Sequence, residues 1–249
     1  MHFKTSVGLF AATAAAATHP RLGRRDVSWG PIVGFQETSS EIISTTSTMY
    51  PGKMPSNQGG YMFTWIGVGV NGDGYDLIQS IVGSYPAGQS ECSGSSADTA
   101  WCISSEVYGL DSSGATTQFV GDERTADVNY ENGVVFSYEL TDESTYSWTQ
   151  TMTDAVTGDV LSTYNKVSKQ QSTLWNTAVE IQDFNGVEGT GTVEPQYYVN
   201  TTIVLKAADA NYGSTIYGEY GGEYTTPTTS DGGKTWYIEK ITVPAMTSE

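Results

Sequence analysis

Gln79 lies in the run "DLIQSIVGSY", an uncharged amide among Leu77, Ile78, Ile81 and Val82. A buried amide must find hydrogen-bond partners or cost stability, so Gln79 is either a structural amide or part of a site. Glu180 raises the same question in "TLWNTAVEIQDF". If Trp175, Thr177, Val179 and Ile181 face a core, alternation leaves Asn176, Ala178, Glu180 and Gln182 on the other face. That polar row lines a groove or meets bulk solvent, and solvent is the ordinary environment of a glutamate in an alternating strand. Trp65 is the third such residue. Tyr61, Phe63, Trp65, Gly67 and Gly69 share a face while Met62, Ile66, Val68 and Val70 supply a core. Rings beside glycines make a surface for an extended ligand backbone, or simply a buried aromatic cluster.

Several chemistries drop out on composition. Residues 1–17 carry a basic start, a short apolar stretch and an Ala-rich cleavage context, the features of a secretory signal peptide. Residues 18–25 then read as a short pro-piece ending in the dibasic pair Arg24-Arg25, which puts the mature start at Asp26. Both histidines, His2 and His19, precede that point. A mature chain without histidine excludes Ser-His-Asp and Cys-His catalysis and lacks the commonest zinc ligand, so neither a metal nor another cofactor is expected. It keeps 7 lysines and arginines against 28 acidic residues, a formal charge of −21. Such a surface disfavours nucleic acid and anionic membranes and suits acidic surroundings or plain solubility. The expected location is extracellular and the expected state a monomer.

The elements that must position these side chains are strands. "VVFSYEL" turns Val134, Phe136, Tyr138 and Leu140 one way, and "YSWTQTMTD" sets Trp148, Gln150 and Met152 against Thr149, Thr151 and Thr153. Turn signals recur at "NGDG", "SSG", "ENG", "TGD", "FNG" and "SDGG", with no long helical period, repeat or linker. The 224 residues from Asp26 to Glu249 therefore predict a single all-β domain, a two-sheet antiparallel sandwich, with a flattened barrel as the alternative. Cys92 and Cys102 are the two cysteines, and an oxidising route predicts their pairing as a staple across a small polar loop. Asn200-Thr201-Thr202 is a glycosylation sequon in a strand-like run.

Trp65 followed fourteen residues later by Gln79, in "WIGVGVNGDGYDLIQSIV", resembles the segment of the eqolisins, the secreted fungal glutamic peptidases, in which the same interval separates a site tryptophan from the catalytic glutamine. "VSWGPIVG", "EIISTTSTMYPGKMP", "AWCISSEVYG", "TQTMTDAVTGDVLS" and "NTAVEIQDF" are similar, in order, to further strands of that family, the last to the one carrying its catalytic glutamate. The resemblance spans most of Trp29 to Phe184 and implies a concanavalin-like β-sandwich. It departs at two places: the family's aspartate four residues after the tryptophan is Gly69 here, and an ungapped match puts its glutamate on Ala178, two residues from Glu180. The long pro-segment usual in the family is also missing.

What the resemblance implies is an acid-acting endopeptidase with a polypeptide substrate. Glu180 would be general base and then acid, the Gln79 amide would stabilise the oxyanion, and Trp65 and Glu106 would bind substrate. For Trp65 and Gln79 to share a face, the hairpin needs an odd loop or a bulge, because a four-residue "NGDG" loop sets Trp65 opposite Ser80. Two other classes stay open. One is a non-catalytic secreted sandwich that binds protein or carbohydrate, favoured by Gly69 and Ala178. The other is a carbohydrate-cleaving sandwich with paired carboxylates, for which "EIQDF" is the nearest and an insufficient motif.

Overall fold

The computed structural model describes residues 27–248 except 56–57, 73–74, 86–99, 127–129, 169 and 185. The leader, the pro-piece and Cys92 lie outside the described residues; Cys102 is buried, and no free cysteine occurs among those described.

Among the described residues seventeen strands follow one another: β1 (Val27–Phe35), β2 (Ile42–Tyr50), β3 (Gln58–Gly59), β4 (Tyr61–Gly69), β5 (Leu77–Ser84), β6 (Trp101–Leu110), β7 (Thr116–Ala126), β8 (Val134–Asp142), β9 (Ser147–Asp154), β10 (Val160–Val167), β11 (Leu174–Gln182), β12 (Thr190–Val193), β13 (Gln196–Leu205), β14 (Ile216–Glu219), β15 (Glu223–Tyr224), β16 (Thr235–Val243) and β17 (Met246–Ser248). Seven form one sheet in the order β14-β1-β11-β4-β5-β6-β7, and seven form a second in the order β10-β9-β8-β2-β13-β16-β15. β17, β12 and β3 make a small third sheet. Every pairing in the two large sheets is antiparallel. The fold is the two-sheet antiparallel β-sandwich that alternation predicts, in the concanavalin-like form that the resemblance implies.

Alternation decides which side chains meet. From the first sheet Met62, Ile66, Val68, Ile78, Val82, Val107, Trp175 and Val179 face Val134, Phe136, Tyr138, Trp148, Met152 and Ile203 of the second. Each such side chain contributes about 1.5–3 kcal/mol on burial, so the apolar core holds the sheets together. Some polar atoms inside it are matched, Trp175 Nε1 donating to Thr45 Oγ1 at 3.0 Å and the Tyr138 hydroxyl to the Ile66 carbonyl at 2.7 Å, while Trp148 Nε1 and the Tyr212 hydroxyl have no partner.

Part of the acidic excess is spent on turns. Asp111 Oδ1 accepts from the Ser113 and Ala115 amides between β6 and β7, and Asp231 Oδ1 from the Lys234 and Thr235 amides before β16. These are Asx-type turns, in which a carboxylate replaces a backbone acceptor. Asn200 sits where the β13 register shifts, with φ 55°, exposed, its Oδ1 taking the Tyr237 hydroxyl at 2.7 Å.

Candidate active site

The site lies on the face of the first sheet turned away from the second. Its apolar part is one cluster containing Ile32, Tyr61, Phe63, Trp65, Leu77, Ile81, Tyr85, Cys102 and Ala178, with Trp29, Tyr108, Phe184 and Tyr217 packed at its margin. Trp65 pairs with Ile81 across β4 and β5, and Gly67 pairs with Gln79. Nine residues, 69–77, separate the last paired residues Val68 and Ile78, an odd number, so Trp65 and Gln79 do share a face. Ser80, which a four-residue loop would have set against Trp65, instead turns into the sandwich.

Along the next ladder Gln79 pairs with Glu106. Facing residues in such a ladder hold their Cβ atoms about 4.5–5.5 Å apart, so the Gln79 amide and the Glu106 carboxyl are immediate neighbours. Both residues are 1% exposed. Gln79 Nε2 has no hydrogen-bond partner, while Glu106 Oε1 accepts from the Ser104 hydroxyl. The rung is fixed from behind by Gln150 of β9, a residue the site reading did not single out. Its Nε2 donates to the Glu106 carbonyl at 2.9 Å, and its Oε1 accepts from the Ser80 hydroxyl at 3.1 Å. One side chain of the second sheet thus grips β5 and β6 beside the Gln79–Glu106 rung.

Glu180 belongs to another part of the same face. It pairs with Phe63 on one side and Trp29 on the other, and Ala178 takes the place beside Trp65. From Gln79, Glu180 is two strands across and four residues along, about 16 Å between Cα atoms at ordinary sheet spacings. Glu180 is level with Phe63 and Gly83, whereas Gln79 is level with Gly67 and Asn176. Glu180 instead accepts from Gln182 Nε2 at 2.8 Å through Oε1, and its Oε2 has no partner. At 1% exposed it is no solvent-facing glutamate, which overturns the solvent alternative for this row; Gln182 and Asn176 are 0% and 6% exposed. Burial pushes the Glu180 carboxyl up to about 8, and the Gln182 hydrogen bond offsets only part of that.

Seven buried polar atoms on this face lack partners: Trp65 Nε1, Gln79 Nε2, Gln118 Nε2 and Oε1, Asn176 Oδ1, Glu180 Oε2 and Gln182 Oε1. An unmatched buried polar atom costs about 1–3 kcal/mol, so a face carrying seven, donors and acceptors both, has groups to offer to water or to a polar ligand. Gln118 and Gln150 are the contributors that site reasoning from sequence passed over, while Asn176 and Gln182 stood in the polar row offered for a groove without a role. Gln150 was visible as a polar residue between Trp148 and Met152 on a core-facing row.

A two-sheet antiparallel sandwich with a buried amide and carboxyl face is the class these features define. Among solved structures the fold is similar to that of scytalido-glutamic peptidase with a transition-state analogue inhibitor, at TM-score 0.50 and 13% identity over 87% of this chain and 99% of that one. Another similar structure is that of SCP-B, a member of the eqolisin family of peptidases in complex with the tripeptide Ala-Ile-His, at TM-score 0.45 and 12% identity over 87% and 99% of the two chains. No protein-family model and no curated protein matches the chain.

Proposed function

We propose that the protein is a secreted endopeptidase acting in acid, of the glutamic type, in which Gln79 and Glu106 are the reacting pair. The observation that carries this is the β5–β6 rung: an unpartnered buried amide N–H directly across the ladder from a buried carboxyl group. Glu106 in its ionised form takes a proton from a water molecule as that water attacks the scissile carbonyl carbon. The oxygen of that carbonyl gains the negative charge and is stabilised by the Gln79 Nε2–H. The proton held by Glu106 then passes to the leaving amine nitrogen as the C–N bond breaks. Trp65 and Gly67 would receive the substrate backbone beside the pair. No histidine, metal or cofactor enters any step.

This assignment moves the base from Glu180 to Glu106, because Glu106 faces Gln79 across the β5–β6 ladder and Glu180 stands on another rung. Secretion would follow cleavage of the leader and trimming after Arg25, with Cys92 and Cys102 paired, Asn200 glycosylated and the protein a monomer. Intact mass of secreted material starting at Asp26 tests the processing step.

A second reading has one specific observation in its favour. Ala178 stands beside Trp65 and Gly69 carries no carboxylate, so the same face could bind polypeptide without cutting it. Digestion of a denatured protein by the purified chain across the acid range separates the two. Fragments abolished by Glu106→Gln support the peptidase; binding without fragments at any acid pH leaves the binding module.

A further inference from the structure

Glu180 and Gln182 remain unused by the proposed hydrolysis, yet they are 1% and 0% exposed and each has an oxygen atom without a partner. The hydrogen bond from Gln182 Nε2 to Glu180 Oε1 turns the amide nitrogen inward on the pair. What it leaves unmatched, Glu180 Oε2 and Gln182 Oε1, is a pair of oxygen atoms and no nitrogen donor.

Rings surround that pair. Glu180 lies between Trp29 and Phe63, and Gln182 pairs with Tyr61 of β4. Tyr61 stacks with Phe63 at 5.6 Å between centroids and meets Phe184 edge-on at 4.9 Å. Trp29 and Phe184 are half-buried and form the solvent-facing rim of this frame. Oxygen acceptors inside a frame of aromatic faces attract a cation, since ring faces carry the negative end of the quadrupole.

We propose that Glu180 and Gln182, framed by Trp29, Tyr61, Phe63 and Phe184, form a binding site for a primary ammonium group, either a lysine side chain or the free amino terminus of a polypeptide. The site is separate from the Gln79–Glu106 pair and does not depend on hydrolysis at it. Without a ligand the Glu180 carboxyl is held neutral by burial. An arriving ammonium group supplies the missing positive charge; Glu180 then ionises and its proton leaves to solvent, so charge balances. Titratable groups around the pair include Tyr61, paired with Gln182, Tyr85 packed against the Tyr61 ring and, past the strand end, Asp183, whose Oδ1 accepts from the Gly189 amide. Among the described residues, no ion pair reaches Glu180.

Calorimetric titration of n-butylammonium chloride into the purified protein at neutral pH, in two buffers of different ionisation enthalpy, tests this. The expected result is one site that releases close to one proton per ligand bound, with no heat from n-butanol. Glu180→Gln keeps the shape and removes the charge; its affinity should fall about 30-fold or more. Gln79→Ala should bind as the wild type does, which separates this site from the hydrolytic one. An amino-terminally acetylated lysine peptide and a lysine-free peptide with a free terminus then tell the two sources apart. Absence of binding by the wild type, binding without proton release, or unchanged affinity in a folded Glu180→Gln variant would each overturn the proposal.

Discussion

Gln79 stands directly across the β5–β6 ladder from Glu106, and Glu180 does not share that rung. Three substitutions turn this relationship into a test. Gln79→Ala removes the oxyanion donor and should lower turnover about 100- to 1,000-fold. Glu106→Gln should abolish acid proteolysis, whereas Glu180→Gln should keep turnover within a small factor of wild type. Steady-state kinetics on a fluorogenic peptide at acid pH decide it, and loss of activity in Glu180→Gln with retention in Glu106→Gln would reverse the assignment.

Gln150 makes a prediction about support rather than chemistry. Gln150→Leu conserves most of the volume but removes the amide's bonds to the Ser80 hydroxyl and the Glu106 carbonyl, 3.1 and 2.9 Å. The cost is about 1–3 kcal/mol, and a domain of this size loses about 2–4 °C of Tm per kcal/mol. A positioning role also requires kcat to fall more than KM rises. Restoration of kcat by Gln150→Glu at low pH, where the added carboxyl is protonated and can donate, would mark positioning over bulk stability.

Alternation made the fold legible because a sandwich repeats one physical rule. Val134, Phe136 and Tyr138 face the core for the reason that Met62 and Ile66 do. The sharing of a face by Trp65 and Gln79 was conditional on loop parity, which four turn-forming residues leave open; the ladder settles it through the odd count between Val68 and Ile78. The burial of Glu180 was not legible at all. A strand pattern separates two faces but carries no information about what closes the second one. The role of Gln150, though not its odd place on a core-facing row, was hidden for another reason: its partners Ser80 and Glu106 are 70 and 44 residues away, joined only once the two sheets pack.

Stability should peak in mild acid. The Glu180 carboxyl holds its proton more tightly when folded, about 8 against an ordinary 4.5. Between those values the native chain keeps a proton that the unfolded chain has released, so stability falls as pH rises through the window, by on the order of a few kcal/mol. Asp154, Asp209 and Asp231 act in the opposite sense. The Tyr130 hydroxyl on Asp154, the Ser39 amide on Asp209 and the Thr235 amide on Asp231 lead in holding these carboxyls below 3.8, so their contribution is lost as pH falls beneath it. Denaturant melts over a pH series should show the maximum near the lower edge of the Glu180 window, and Glu180→Gln should flatten the alkaline side. A wild-type curve level from mild acid to neutrality would refute the burial cost assigned to Glu180.

Gly67 supplies the last test, because it sits between Asn176 and Gln79 on the rung next to Trp65. A Cβ there would stand 2.7 Å from Leu77 Cδ1 and 3.1 Å from Trp65 Cζ3. The leucine methyl can swing aside, but the indole is held in a buried cluster, so Gly67→Ala should cost about 1–3 kcal/mol and shift the ring. It also raises a methyl on the surface where the substrate backbone would lie. If the glycine is there for close approach of a peptide, KM should rise with kcat little changed, since neither Gln79 nor Glu106 loses a reacting atom. Near-UV circular dichroism reads the ring shift independently of activity. A Gly67→Ala enzyme with wild-type KM and an altered tryptophan signal would mean that the glycine serves ring packing alone and that the peptide takes another path across the sheet.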